Sequence, residues 1–565
     1  MAKVWTIFTL LAGSVACAPA KDSLTVDVDY AVYQGVRNNG TGLNVWKGIR
    51  YAAPPVGNLR WRTPQSPETV RNKTISANDF GPICPQSFPS IPNPPFIPGD
   101  EDCLFLNVYA PSTDKKLPVL VWIHGGGYGL GDGRQDLSEI INANGKSFIG
   151  ISIQYRLGAF GFLSSDEVKQ QGALNAGLLD TELALKWVQT HASKFGGDPR
   201  KVTISGESAG GGAVMLFGIA RDGRLGDSLY RNGIAASPWL PVQYDYNHAT
   251  PTAHFRDFAS KVGCGNASVV LDCLRKVDSL SLQQASNSIS TGGTYATWAF
   301  LPVTDGSFIT NRPSIALKSK KLNGKAILAA NNANEGALFV LPNINTLDDL
   351  KTWLHLDFPA LTPTEIQKIL DAYPSTDSPV DPTTPRFATN GLDSPTAVNM
   401  SQVASGQQQR AYNIHAEARF VCPSYWLNNA YTSSYHYQYS VPFASHGDDV
   451  PAYFGPSTPN QSASFSLAIR KIWGKFIVQS NPSVSSEPAV ANWPKWSAGD
   501  RSKLVNLNTT GGVPYQAVTQ FGATVTQFRE PGVENRFSVV DAWEWEGGRG
   551  KRCEFWRSLA DRISI

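Results

Sequence analysis

The chain has 565 residues, 42% hydrophobic and 17% charged, with a formal charge of +3. So small an excess, without a basic run, excludes the electrostatic footprint of a nucleic-acid binder. Length alone would suggest roughly three or four domains, but the motifs below must converge, so residues 21–565 are expected to form one large α/β domain.

The chain begins with a short basic stretch, Met1-Ala2-Lys3, followed by an apolar run from Val4 to Val15, too short to span a bilayer. Ala16, Ala18 and Ala20 offer small-residue cleavage sites, so residues 1–20 read as a leader cut after 18 or 20 and the mature chain as secreted. No later stretch suits a membrane span. Losing Cys17 leaves six of the seven cysteines, an even number suited to an oxidising compartment. Six allow fifteen pairings. Sequons at Asn39, Asn72, Asn266, Asn399, Asn460 and Asn508 fit the same route. No Cys/His spacing suggests a metal site, and no cofactor is called for.

Between Cys84 and Cys103 lies a proline-dense loop, Pro85 to Pro98, that cannot be helical, because each proline removes a backbone donor and restricts its predecessor. Leu117 to Ile123 then reads as a buried strand, ending in His124-Gly125-Gly126-Gly127-Tyr128. A glycine-rich loop at a strand end can present unobstructed N–H groups to a developing oxyanion. Gly126, Gly127 and the N–H of Ala209 are the candidate donors. The next strand, Lys201 to Ser205, runs into Gly206-Glu207-Ser208-Ala209-Gly210 and then a helix-like run. A G-x-S-x-G turn between strand and helix is how an α/β-hydrolase exposes a serine nucleophile, here Ser208.

A serine hydroxyl needs a histidine to take its proton and a carboxylate to hold that histidine. On this fold they follow the serine in the order acid, then base, each just beyond the carboxyl end of a parallel strand. Lys325 to Ala330 is a short apolar strand opening into Asn331-Asn332-Ala333-Asn334-Glu335, which makes Glu335 the acid. Its rival, Asp305, sits in an Asp-Gly turn and reads as structural. His355 and His415 fall in helical patterns and His436 inside an alternating strand. His446 follows that strand by a short loop and is the candidate base. Between acid and base, the Pro/Ser/Thr-rich stretch from Tyr373 to Arg386 reads as a surface loop or a hinge in a helical insertion.

Taken with Gly48-Ile49-Arg50-Tyr51-Ala52-Ala53-Pro54-Pro55, Glu101-Asp102-Cys103-Leu104-Phe105-Leu106-Asn107, Tyr155-Arg156-Leu157-Gly158 and Phe195-Gly196-Gly197-Asp198-Pro199, the chain resembles the type-B carboxylesterases, which include cholinesterases and fungal lipases. The resemblance runs over nearly the whole mature chain. It implies an α/β-hydrolase fold and an acyl-enzyme route to ester hydrolysis, and it puts nucleophile, acid and base on Ser208, Glu335 and His446. It also implies the pairs Cys84–Cys103, Cys264–Cys273 and Cys422–Cys553.

The same resemblance places Trp298 and Phe300 in an acyl pocket, with Tyr128 and Glu207 as further pocket candidates. Their bulk leads to an expected preference for short or planar acyl groups. The proline-dense loop carries neither the helical lid of fungal lipases nor the tryptophan with which cholinesterases hold a quaternary ammonium. Triacylglycerol hydrolysis, acyl transfer to an alcohol or amine, specialised ester hydrolysis of a secondary metabolite, and a non-catalytic binding role are the alternatives. Asp449 stands where many relatives have glutamate.

Overall fold

The architecture rests on an eleven-stranded sheet in a computed structural model that describes residues 24–113, 115–375, 391–392 and 396–565. The expected leader and most of the Tyr373–Arg386 stretch lie outside the described residues. In spatial order the strands are Thr524–Asp541, Lys503–Val518, Ser433–Tyr439, Ala326–Asn332, Asn232–Ala236, Gly197–Glu207, Leu117–Ile123, Ile149–Ile153, Phe105–Ala110, Leu43–Arg50 and Val36–Asn38. From Lys503–Val518 to Ile149–Ile153 every neighbouring pair is parallel. The pairs at both edges are antiparallel.

Parallel strands covered on both faces read as continuous apolar runs, and Leu117–Ile123 and Asn232–Ala236 are buried along their whole length. Their side chains alternate between two cores. Val119, Val121 and Ile123 pack with Ile204 and Met215 on one face. Leu120 and Trp122 pack with Ile234, Leu328 and Phe476 on the other. Each such side chain contributes roughly 1.5–3 kcal/mol on burial, and a one-residue slip would exchange the two faces. The strands are thereby locked in height, and so are the loops that leave their carboxyl ends.

The three disulfides join Cys84 to Cys103, Cys264 to Cys273 and Cys422 to Cys553. The last ties the C-terminal helix Trp545–Leu559 to the helix Cys422–Ala430. Beside it the buried carboxylate of Glu417 accepts from Arg549 Nε (3.1 Å) and Arg552 Nε (2.8 Å). The Glu-Asp-Cys-Leu run is a scaffold: Glu101 pairs with buried Arg60 at 2.7 Å and Asp102 with Arg50 at 2.5 Å. The proline-dense loop forms no helix, and Ser90 bridges to Tyr295.

Of the six sequons, Asn39, Asn72 and Asn266 are exposed and Asn399 is half-buried. Asn460 and Asn508 are only 3% and 5% exposed, and Asn460 Nδ2 donates to the Pro442 carbonyl at 2.5 Å. These two are buried in the folded chain, unlike the other four.

Candidate active site

Ser208 ends the strand Gly197–Glu207 and precedes the helix Ala209–Ile219, with φ 59° and ψ −125°. Such a backbone costs about 1–3 kcal/mol and persists only where the surroundings fix it. They do so here: the Ser208 carbonyl accepts from Gly212 N at 2.8 Å and Trp239 N at 3.0 Å. The flanking glycines are required by space, since a Cβ on Gly206 would stand 2.3 Å from the Gly210 carbonyl carbon. One on Gly210 would stand 2.1 Å from the carbonyl oxygen of Ile123.

Glu335 lies three residues beyond its strand and is fully buried. Its Oε1 accepts from the hydroxyl of Ser237 and from the Asn332 N–H, both at 2.6 Å. Its Oε2 lies 2.5 Å from Nδ1 of His446. The acid and base loops are fastened to each other: Asn334 N donates to Ala444 O at 2.9 Å and Asn332 Nδ2 to Ser445 O at 2.7 Å. Phe420 and Phe339 close over the imidazole, with ring centres 4.5 and 5.0 Å away.

The other imidazole nitrogen, Nε2, makes no hydrogen bond among the described residues. It faces Oε1 of Glu207, the residue before Ser208, at 3.2 Å. Burial opposes charge on His446, but Glu207, Glu335 and Asp449 hold its imidazole up at about 9. Burial pushes Glu207 itself up to about 8, against the pull of His446. Asp449, fully buried, accepts from Asn332 Nδ2 at 3.2 Å and from the Tyr453 hydroxyl. It thus steadies the residue whose N–H holds Glu335.

The glycine loop curls on itself, with Gly129 and Leu130 N–H groups returning to the Gly126 carbonyl at 3.0 and 2.8 Å. Gly126 and Gly127 have φ of 97° and 62°. In the turns and loops of the described residues, the N–H groups of Gly126, Gly127 and Ala209 donate to no backbone carbonyl. His124 is structural: its ring stacks on Tyr155 at 4.4 Å.

A cavity of about 260 Å³ is lined by none of these groups themselves, but three of its lining residues touch them. Trp298 packs on the glycine loop, Trp239 N–H holds the Ser208 carbonyl, and Phe339 meets His446. Trp298 and Phe300 both line the cavity. Tyr128 does not: it is fully buried, its ring packed on Trp239 and Phe162. Glu207 likewise faces His446, not the cavity lining. Among the competing residues, His436 is a satisfied core histidine, bonded to Asn428 and Asn331, and burial takes it down to about 3. Asp305 accepts from the N–H groups of its own turn. His355 is exposed on its helix, and His415 lines the cavity.

A mostly parallel sheet with a strained serine turn at its carboxyl edge defines an α/β-hydrolase. The solved structure of Aspergillus niger EstA has the same fold, with a TM-score of 0.75 and 26% identity over 96% of this chain and 99% of that one. The carboxylesterase family model matches residues 22–521, and the chain belongs to that family. It is 32% identical to secreted lipase 1 of Botryotinia fuckeliana over 511 residues, covering 84% of this chain and 87% of that protein. It is 33% identical to the para-nitrobenzyl esterase of Bacillus subtilis over 366 residues, 62% of this chain and 70% of that one. The protein is a carboxylic ester hydrolase.

Proposed function

We propose that the protein hydrolyses esters of short or small planar acyl groups through an acyl-enzyme on Ser208, with His446 as base and Glu335 as its acid partner. The observation that carries this reading is the 2.5 Å contact between His446 Nδ1 and a Glu335 carboxylate that is buried and otherwise bonded. It leaves Nε2 as the nitrogen free to exchange a proton at the serine turn. Ser208 attacks the ester carbonyl while His446 takes its proton, and the departing alcohol leaves with that proton. The N–H groups of Gly126, Gly127 and Ala209 hold the oxyanion. Water, deprotonated by His446, then cleaves the acyl-enzyme. A cavity walled by Trp298 and Phe300 supports the acyl preference.

Residues 21–565 act as one catalytic unit, secreted after loss of the leader. Three disulfides and a relative named as a secreted lipase support that route. Asn39, Asn72, Asn266 and Asn399 are the sequons open to modification.

The test is hydrolysis of p-nitrophenyl esters from acetate to palmitate, with Ser208→Ala as the blank. The expected profile peaks at short chains and vanishes in the variant, apart from a residue of about 10³–10⁴ over water. Near-normal turnover by Ser208→Ala would overturn the nucleophile. A palmitate maximum would overturn the acyl preference and favour the triacylglycerol lipase reading.

A further inference from the structure

The cavity is aromatic around the serine turn but not throughout. Asp357, His415 and Arg419 also line it, and their side chains are only 10, 8 and 3% exposed. Phe339 joins this cluster to the site, stacked on His415 at 5.7 Å and meeting His446 at 5.0 Å. The two histidines are therefore about one aromatic ring apart.

Buried polar groups in folded proteins are nearly always bonded, and each exception calls for an explanation. Here the exceptions are grouped. Both ring nitrogens of His415, Oδ2 of Asp357 and Nη1 of Arg419 are buried without a hydrogen bond. Asp357 Oδ2 stands 3.5 Å from His415 Nδ1 and 3.7 Å from Arg419 Nη2, close enough to balance charge but too long for a hydrogen bond. Arg419 is otherwise fixed, with its Nη2 donating to the Asp357 carbonyl at 3.1 Å and its guanidinium 4.6 Å over the ring of Phe358.

The geometry points to a polar subsite that recognises a hydroxyl on an aromatic acyl group, so that the substrates are esters of hydroxyaryl acids. This rests on the Ser208 reading and narrows it. The cluster holds unmet donors and unmet acceptors side by side, and a neutral hydroxyl is the small group that satisfies both. An anionic group is a poorer fit, because Asp357 already balances Arg419. The aromatic residues that share this lining, Trp239, Trp298, Phe300 and Phe339, suit a flat ring. The acyl side is favoured because Trp298, one of these walls, packs on the glycine loop.

The test compares kcat/KM for methyl esters of 3-phenylpropanoate, 3-(4-hydroxyphenyl)propanoate and 3-(4-carboxyphenyl)propanoate. The saturated spacer insulates the carbonyl electronically, so rate differences report recognition. A matching pair, 2-phenylethyl and 2-(4-hydroxyphenyl)ethyl acetate, puts the ring on the alcohol side. A hydroxyl preference of about tenfold or more is expected on the acyl side, in line with sites built to bond a substrate hydroxyl. It should fall to within about twofold in His415→Phe and in the isosteric Asp357→Asn, read as the ratio of the two esters within each variant. The second variant keeps the test decisive if the first fails to fold. Equal rates for the first two esters, a preference that survives both variants, or the carboxylate as best substrate would overturn the subsite. A preference confined to the acetates would overturn its acyl assignment. All of these outcomes leave the Ser208→Ala blank intact, whereas failure of the Ser208 reading would show in that blank alone.

Discussion

Nε2 of His446 lies 3.2 Å from Oε1 of Glu207, and the two groups, both buried, share the proton economy of the site. In the proposed mechanism His446 must be neutral to accept a proton from Ser208, and the surrounding carboxylates hold it at about 9. The acid limb of kcat/KM for a neutral ester should therefore lie in the alkaline range, with activity rising as pH rises. Glu207→Gln removes the opposite charge facing Nε2 and should move that limb to lower pH by about 1–3 units. A pH–rate profile of both proteins checks this, and an unmoved limb would remove Glu207 from any electrostatic role.

Trp298 makes the glycine loop intolerant of side chains. A Cβ on Gly127 would stand 2.4 Å from Cε2 of Trp298, at a backbone φ of 62° that L residues rarely adopt. Gly127→Ala should lower kcat by about 10²–10³, the loss typical of one oxyanion donor displaced. Adding Trp298→Ala should recover only part of it, since the clash goes but the backbone strain stays. Recovery to the level of Trp298→Ala alone would show that the loop has no conformational requirement at Gly127.

Ser237 is a positioning residue for the acid, through its 2.6 Å bond to Glu335 Oε1. Hydrogen bonds to charged groups contribute about 1.5–3 kcal/mol, so Ser237→Ala should lower kcat roughly tenfold or more and leave KM nearly unchanged. Steady-state kinetics on a short ester separates the two constants. A rise in KM alone would contradict the assignment.

The Cys422–Cys553 bond closes a loop with a sequence separation of 131 residues. Replacing both cysteines by serine should cost about 3–5 kcal/mol of stability. No hydrogen bond or ring contact among the described residues joins either cysteine to Ser208, Glu335 or His446, so activity at low temperature should survive. Urea unfolding beside an esterase assay measures both.

Much of this site is legible in the sequence because its catalytic candidates sit at strand ends, where local pattern is strong. The strand Leu117–Ile123 has the bounds that its apolar run suggests, and Ser208 betrays itself by the glycines its turn demands. Glu335 and His446 follow from strand position and chain order. Ser237 also follows a parallel strand by one residue, so the same reasoning could have found it. Asp449 could not be interpreted that way, because its role depends on a side-chain bond to Asn332, 117 residues earlier. Tyr128 is another case: its ring is fully buried against Trp239 and Phe162, a packing that its place beside the glycines does not announce. His415 reads correctly as helical, yet which face of that helix meets a cavity is decided by packing against Phe339, not by periodicity.

The buried Asn460 ties the chain's history to its final shape. Its amide holds the carbonyl of Pro442, on the segment that carries the chain to His446. On the proposed secreted route, a sugar placed on Asn460 before that segment closes would keep the residue from its bond to Pro442, and with it the segment that leads to His446. Preparations from glycosylating and non-glycosylating hosts should differ in active fraction while sharing every rate constant per active molecule.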